Sequence, residues 1–169
     1  EITKQKIDLH ELIQDTVSRF DTILNSRQGI INLELNAENS SFQADKSHLT
    51  NVLFNLIDNA IKFTHQGEIE LKITSLACTE RNHCTYRFEV RDTGIGIAEE
   101  KQTKIFEAFV QEDESINKKY GGTGLGLSIS NKLLALMGSQ LHLISTPKRG
   151  STFFFDLTLK NEKGDDINP

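Results

Sequence analysis

Two glycine-rich segments hold the residues of this 169-residue chain best suited to chemistry. Gly121-Gly122-Thr123-Gly124-Leu125-Gly126-Leu127 leads into a stretch with helical spacing. Glycines let a backbone approach a bulky anion, and a helix start offers free N–H groups and a positive dipole end. Phosphate binding is the natural chemistry, with a plain flexible hinge as the alternative. The segment is not a Walker A loop, since no Gly-Lys-Ser/Thr follows. It is not a dinucleotide fingerprint either, since the G-x-G-x-x-G spacing fails at Leu127 and no strand immediately precedes it. The other segment, Asp92-Thr93-Gly94-Ile95-Gly96-Ile97, closes an apolar strand. A carboxylate there only accepts hydrogen bonds. It can hold the exocyclic amine of adenine and would oppose the carbonyl oxygen of guanine, while Gly94 and Gly96 leave room for a flat base. Taken alone, the same residues are equally a tight turn.

A third set lies on one helix, predicted over Leu49 to Phe63 as LTNVLFNLIDNAIKF. At about 100° per residue, Leu49, Val52, Leu53, Leu56, Ala60 and Phe63 share a broad apolar face. Asn51, Asn55, Asp58, Asn59 and Lys62 share a narrow polar arc. A solvated face is usually filled with Glu, Lys, Arg and Gln, whereas Asn is a poor helix former whose amide competes for backbone hydrogen bonds. Asparagines at i, i+4 and i+8 are thus either a polar binding wall or an unusual solvated face.

The elements that position these residues follow in order. Ile7 to Asn25 has helical spacing through Leu9, Leu12, Ile13, Val17, Phe20 and Leu24, with Asp8 as cap. Ile30 to Asn36 alternates as a strand, Phe42 to Ala44 is a short second strand, and Asp45 caps the asparagine helix. Glu68 to Ala77 and Thr85 to Arg91 form a hairpin across the polar loop Thr79 to His83. Ala98 to Phe109 contains a short helix, and Val110 to Gly122 reads as a mobile loop of functional length. Thr123 to Met137 is a helix with Leu125, Ile129, Leu133 and Leu136 on one face, ended by Gly138. Leu141 to Ser145 and Ser151 to Leu159 are strands around a Pro147-to-Gly150 turn. Mixed helices and hairpins predict an α+β fold, a two-layer α/β sandwich. Its mixed, largely antiparallel sheet of about five strands is covered on one face by three helices. One domain is expected over residues 1–160, with 161–169 a linker or tail.

Composition sets the limits. A net charge of −5 argues against general nucleic-acid binding, which needs a basic footprint, but not against a nucleotide in a local pocket. No apolar run is long enough to span a bilayer, and the charged start without Met is no signal peptide, so a fragment of a longer protein is expected. Cys78 and Cys84 are expected as two reduced thiols in neighbouring strands of a cytosolic domain. A zinc site with His83 fails the usual paired spacings.

The segments N-L-I-D-N-A-I-K-F, D-T-G-I-G-I, I-F-E-A-F-V-Q and G-G-T-G-L-G-L occur in this order over residues 8–160. Together they closely resemble the four boxes of the ATP-binding catalytic domain of two-component sensor histidine kinases, in the superfamily shared with type II topoisomerases and MutL. The resemblance implies that Asn59 ligates Mg²⁺, and that Asn55 and Lys62 contact phosphates and are the catalytic pair. It places Phe63 and Ile97 by the base, Asp92 on the adenine amine, and Gly94 and Gly96 along the pocket. Phe106 and Phe109 would anchor a lid, and Lys118 and Lys119 would neutralise phosphate. Gly122, Thr123, Gly124, Leu125 and Gly126 would hinge the lid and hold the triphosphate. ATP and Mg²⁺ are the implied cofactors. The implied partners are a phosphoacceptor histidine hairpin of the same protein and a response-regulator receiver domain, with no nucleic acid and no direct membrane contact. The parent would be a homodimer with this domain cytoplasmic, and the isolated chain a monomer.

Three details refine the expectation. ATP-hydrolysing members carry a glutamate four residues before the metal-binding Asn; here Asn55 stands there, and an amide cannot act as a general base. His10, His48, His65, His83 and His142 all lie outside the family's acceptor context, so autophosphorylation by this chain alone is not expected. Ala108 replaces a frequent proline, and Lys118 stands where arginine is frequent and loses its planar fork. The rival readings are a superfamily ATPase and a non-catalytic nucleotide-binding adaptor.

Overall fold

Asp45 starts the helix around which the other layers pack. Its carboxylate accepts the backbone N–H of His48 at 3.0 Å and that of Thr3 at 2.9 Å. The first of these satisfies a donor that an opening helical turn leaves unpaired. In the computed structural model, residues 2–21, 30–36, 41–64, 67–79, 82–102 and 123–161 are described. In chain order the elements are β1 (Gln5–Asp8), α1 (Leu9–Ser18), β2 (Ile30–Asn36), β3 (Ser41–Ala44), α2 (Lys46–Phe63), β4 (Glu68–Cys78) and β5 (His83–Asp92). They continue with α3 (Thr123–Leu136), β6 (His142–Thr146) and β7 (Gly150–Asn161). Residues 99–102 form one further helical turn. The expected lid with Phe106, Ala108, Phe109, Lys118, Lys119 and Gly122 lies outside the described residues, as does 162–169.

The strands make one sheet in the order β1-β3-β7-β5-β4-β2, with β6 also on β7. Among the described residues only β2 and β4 are parallel; every other pair is antiparallel. The α+β class and the mixed, largely antiparallel sheet are as expected, with seven strands among the described residues rather than about five. β1 is an element the spacing concealed. The helix expected from Ile7 begins at Leu9, and Ile7 pairs with Phe42 as a buried strand residue. Over so few residues, helical and alternating periods cannot be told apart. Asp8 remains the N-cap, accepting the Glu11 N–H at 3.2 Å. The regular helix ends at Ser18, and Phe20 follows in a turn that stacks it on Phe54 of α2 at 4.7 Å.

Alternation along β4, β5 and β7 puts Ile69, Leu71, Ile73, Tyr86, Phe88, Val90, Phe153, Phe155 and Leu157 on one buried face. Phe88 and Phe155 stack there at 5.0 Å. α2 lies on this face between α1 and α3 and buries Leu49, Val52, Leu53, Leu56, Ile57, Ala60 and Ile61. The opposite face is polar and paired across strands. Arg87 of β5 makes a bidentate contact with Asp156 of β7 at 2.8 and 3.0 Å and lies over the Phe154 ring.

Two sequence expectations need correction. In α3 the inward residues are Leu127, Ser128, Ser130 and Leu134, while Ile129 and Leu136 are exposed and Leu133 is only half-buried. α3 is apolar around most of its circumference, so its pattern does not mark a face. The small serines let α2 approach closely. Cys78 and Cys84 are not free thiols; a disulfide joins them across β4 and β5. A bulge between Ser75 and Ala77 shifts the register by one and sets the two residues opposite each other. Among the described residues, no helix is long and apolar enough to cross a membrane.

Burial raises the Asp45 pKa, but the N–H bonds from Thr3, His48 and Ser47 and the nearby His48 charge outweigh it, leaving the pKa below the ordinary Asp value. A carboxyl that is more acidic in the folded state stabilises above its unfolded pKa and loses that contribution as pH falls through the folded one. Asp45→Ala is therefore expected to cost about 1 kcal/mol of unfolding free energy at pH 7. Urea titrations should show this deficit shrinking as pH falls below 4.

Candidate functional site

Asp92 ends β5 in register with Ile69 of β4 and Ser151 of β7, and it is only 2% exposed. Burial raises its pKa above the ordinary Asp value, and this outweighs the N–H bonds from Gly94 and Ser151 that favour its charge. The Gly94 N–H donates to Oδ1 at 2.9 Å. The Thr64 hydroxyl, just past α2, lies beside the carboxylate and also favours its charge, yet it closes no bond of good geometry. A buried acceptor held at a strand end by backbone donors suits an external donor such as an amine.

Backbone contacts fix the Asp92 turn against the β6–β7 turn. Lys148 N–H donates to the Ile95 carbonyl at 2.6 Å, and Ile97 N–H donates to Ser145 Oγ at 2.8 Å. Ser145 Oγ also meets Ser151 Oγ at 2.7 Å. Gln102 Nε2 ties the segment after Asp92 to β6, donating to the Ile97 and Ser145 carbonyls. Gly96 (φ +71°) would press a side chain into the Thr146 carbonyl, and Gly150 (φ +111°) would press one into the Asp92 carbonyl. Both glycines are therefore required by the fold itself, whatever base lies nearby.

The polar arc of α2 divides into residues with different environments. Asn51 is exposed. Asn55 is half-buried and donates through Nδ2 to Ser130 Oγ of α3 at 3.2 Å. Lys62 is exposed and pairs with Asp58 at 3.0 Å. Asn59 is 3% exposed, and its Nδ2 has no hydrogen-bond partner among the described residues. A buried amide left so costs about 1–3 kcal/mol, so a group outside the protein is its natural partner. The unpaired nitrogen is a donor and suits an acceptor such as a phosphate oxygen, while the oxygen of the same amide is a ligand type that a hard cation with few protein ligands, such as Mg²⁺, can take. No cluster of three His, Cys, Asp or Glu residues that could hold a metal exists among the described residues.

α2 contacts both β5 and α3: Thr64, just past its end, lies by Asp92, Asn55 meets Ser130 of α3, and Asn59 lies between them along the helix. Ile97 is buried in the turn that follows Asp92. Phe63 closes α2, and Thr123, Gly124, Leu125 and Gly126 form the first turn of α3; their side chains are outside the described set. Sequence reasoning missed Thr64, Ser130, Ser145, Gly150 and Ser151. Only Gly150 gave a signal, as the last residue of a turn. A separate cavity of about 270 Å³, lined by residues including Lys4, Asp45, His83 and Lys160, shares none of these residues and lies toward the other end of β5.

The model of the family described as Histidine kinase-, DNA gyrase B-, and HSP90-like ATPase matches residues 44–161, from the residue before the α2 cap to the end of β7. The chain belongs to this family. Similar proteins include the signal transduction histidine-protein kinase BarA of Escherichia coli strain K12, 42% identical over 74% of this chain and 13% of that protein. The sensor protein GacS of Pseudomonas syringae is 36% identical over 94% of this chain and 17% of its own length. The chain thus spans less than a fifth of either relative. Among solved structures, the catalytic domain of the histidine kinase ThkA is 27% identical with a TM-score of 0.70, covering 96% of this chain and 99% of that one. Full-length ShkA, crystallised with AMPPNP, is 28% identical with a TM-score of 0.76, covering 95% of this chain and 32% of that one.

The geometry makes two expectations testable without any ligand. Gly150→Ala should lose more than about 2 kcal/mol of stability in chemical denaturation, through backbone overlap and a left-handed φ. Asp92 behaves opposite to Asp45. Its folded pKa lies above its unfolded one, so its ionisation destabilises the protein as pH rises between the two. The stability of the wild type minus that of Asp92→Asn should therefore fall as pH is raised from 3 to 6 in paired urea titrations.

Proposed function

We propose that this chain is the ATP-binding catalytic domain of a sensor histidine kinase. It binds Mg-ATP and presents the γ-phosphoryl group to a histidine on a separate dimerising hairpin of the same protein, for onward transfer to a response-regulator aspartate. The observation that carries the reading is Asp92, a carboxylate buried at a strand end with backbone N–H groups on one side. It demands a donor from outside, and the adenine amine supplies one. The names of BarA and GacS, the AMPPNP bound by ShkA and the complex of ThkA with the response regulator TrrA support the assignment.

In this reading Asn59 would hold Mg²⁺, which when bound would supply positive charge to neutralise the phosphates. Asn55 and Lys62 are the phosphate contacts on α2, with Lys62 exchanging its Asp58 partner for phosphate. Phe63 and Ile97 flank the base beside Gly94 and Gly96. Phe109, Lys118, Lys119 and Gly122, with the first turn of α3 from Thr123 through Gly126, form the lid and triphosphate contacts. Asn55 can accept no proton, so water is not activated there and the phosphoryl group remains for the histidine. The domain works on the cytoplasmic side of a homodimeric parent, as a monomer when isolated. The domain runs to Asn161, where β7 ends, one residue past the expected boundary, with 162–169 a linker or tail. A superfamily ATPase is the second reading, which the amide at Asn55 disfavours.

Calorimetry tests this directly. The chain should bind ADP more tightly with Mg²⁺ than without, and bind GDP at least about tenfold more weakly, because guanine turns an oxygen toward Asp92. Asn59→Ala should remove the Mg²⁺ increment. Asp92→Asn should weaken ADP by roughly 10- to 100-fold, the cost of one hydrogen bond to a charged group. Absence of ADP binding with Mg²⁺ would sink the proposal, and rapid phosphate release by the chain alone would favour the ATPase. Adding the acceptor hairpin should yield acid-labile phosphohistidine.

A further inference from the structure

We propose that Cys78 and Cys84 form a reversible thiol–disulfide site, oxidised by exchange with a low-molecular-weight disulfide, that clips the end of the β4–β5 hairpin farthest from Asp92. The pairing rests on one inserted residue. From Ile69↔Asp92 to Ser75↔Tyr86 the β4–β5 register is regular; after the bulge it runs Ala77↔Thr85 and Cys78↔Cys84. Without the shift at Leu76, Cys84 would face Ala77 and Cys78 would face His83. The insertion leaves Leu76 itself 47% exposed and brings the two Cα atoms to 4.0 Å. Directly opposed residues of an antiparallel pair stay within bonding reach whether the bond is made or not.

The two sulfurs differ in access, and that assigns their roles. Cys78 is exposed, whereas Cys84 is 2% exposed. Asn161 Nδ2 donates to Cys84 Sγ at 3.7 Å and to the Tyr86 hydroxyl at 3.4 Å. The Cys78 thiolate attacks the external disulfide R–S–S–R, forming Cys78–S–S–R and releasing one R–SH. The Cys84 thiolate then attacks the Cys78 sulfur and expels the second R–SH. Two electrons pass from the cysteines to R–S–S–R, and their two protons end on the released thiols. Reduction runs the same steps backwards, starting at the accessible Cys78 sulfur.

The clip has a defined reach. The hairpin end pairs with the last residues of β7 through His83↔Lys160 and Cys84↔Leu159, and Asn161 N–H donates to the Asn82 carbonyl at 2.6 Å. His83, Leu159 and Lys160 also line the 270 Å³ cavity. Oxidation therefore firms the wall of that cavity and the seam where β7 ends, while Asp92 lies eight residues further along β5.

Intact mass after thiol trapping tests the site on the chain equilibrated with glutathione at neutral pH. Millimolar oxidised glutathione should yield an internal disulfide, two hydrogens lighter, and excess reduced glutathione should return both thiols. A pair that stays unbonded in the first buffer, or stays bonded in the second, overturns the proposal. Cys84→Ser, which keeps an acceptor for Asn161, should trap one glutathione on Cys78, and Cys78→Ser should trap none; the reverse pattern overturns the assigned roles. The melting temperature of the wild type should drop by roughly 5 °C on reduction, while that of Cys78→Ser should not respond. Nucleotide binding is not a readout here, so failure of this site leaves the nucleotide reading standing.

Discussion

Keeping the Asp92 carboxylate out of water is the constraint from which much of the structure follows. Desolvating a charge is costly unless donors are fixed around it. The donors here are backbone N–H groups, from Gly94 within its own turn and from Ser151 across the sheet. The second exists only because β5 and β7 are antiparallel partners with Asp92 opposite Ser151. That register brings Gly150 so close to Asp92 that no side chain fits, and it folds the β6–β7 turn onto the Ile95–Ile97 backbone. The serine pair Ser145 and Ser151 then serves as the hinge pin of two turns that must move together, if at all.

The central helix meets the same requirement from the other side. Its last turn delivers Thr64 to the carboxylate, and its polar arc carries amides toward α3. At Asn55 and Asn59 a charged residue would have been the stronger helix former, but a charge there would need a partner in a half-dry seam. Amides can be buried at lower cost, and each can both donate and accept. Asn55 spends its donor on Ser130, which holds α2 and α3 together where α3 is too uniformly apolar to orient itself. Among the described residues, Asn59 is the one amide of the arc that is buried with no partner for its nitrogen.

What could be read from the sequence divides along physical lines. The alternation of β4 and β5 survives, and α2 buries Leu49, Val52, Leu53, Leu56 and Ala60 as expected, with Ile57 and Ile61 added, because burial of one face imposes a period no loop can imitate. Both Asx caps, Asp8 and Asp45, were legible because capping is local chemistry. Asp92 and the asparagines were legible as motifs. The failures are tertiary. β1 exists because β3 offers an edge, α3 turns serines inward because Asn55 awaits one, and Thr64, Ser145 and Ser151 join the site only through register. The cysteines belong to the same class: their spacing says nothing until a bulge sets them opposite.

Asp92 and Cys84 are near opposite ends of β5, separated by about 27 Å of extended chain at 3.4 Å per residue. Between them every residue of β5 is paired on both sides, to β4 and to β7, the bulged residue Leu76 lying on β4. Such a doubly paired central strand transmits little local distortion along its length, because slipping one register position would turn Tyr86, Phe88 and Val90 out of the core. The two ends can therefore carry different chemistry without interfering. The same rigidity explains why the Asp92 turn can tolerate a buried charge: the strand that presents it is pinned along its whole course, and only the turn beyond it has to be shaped by glycines.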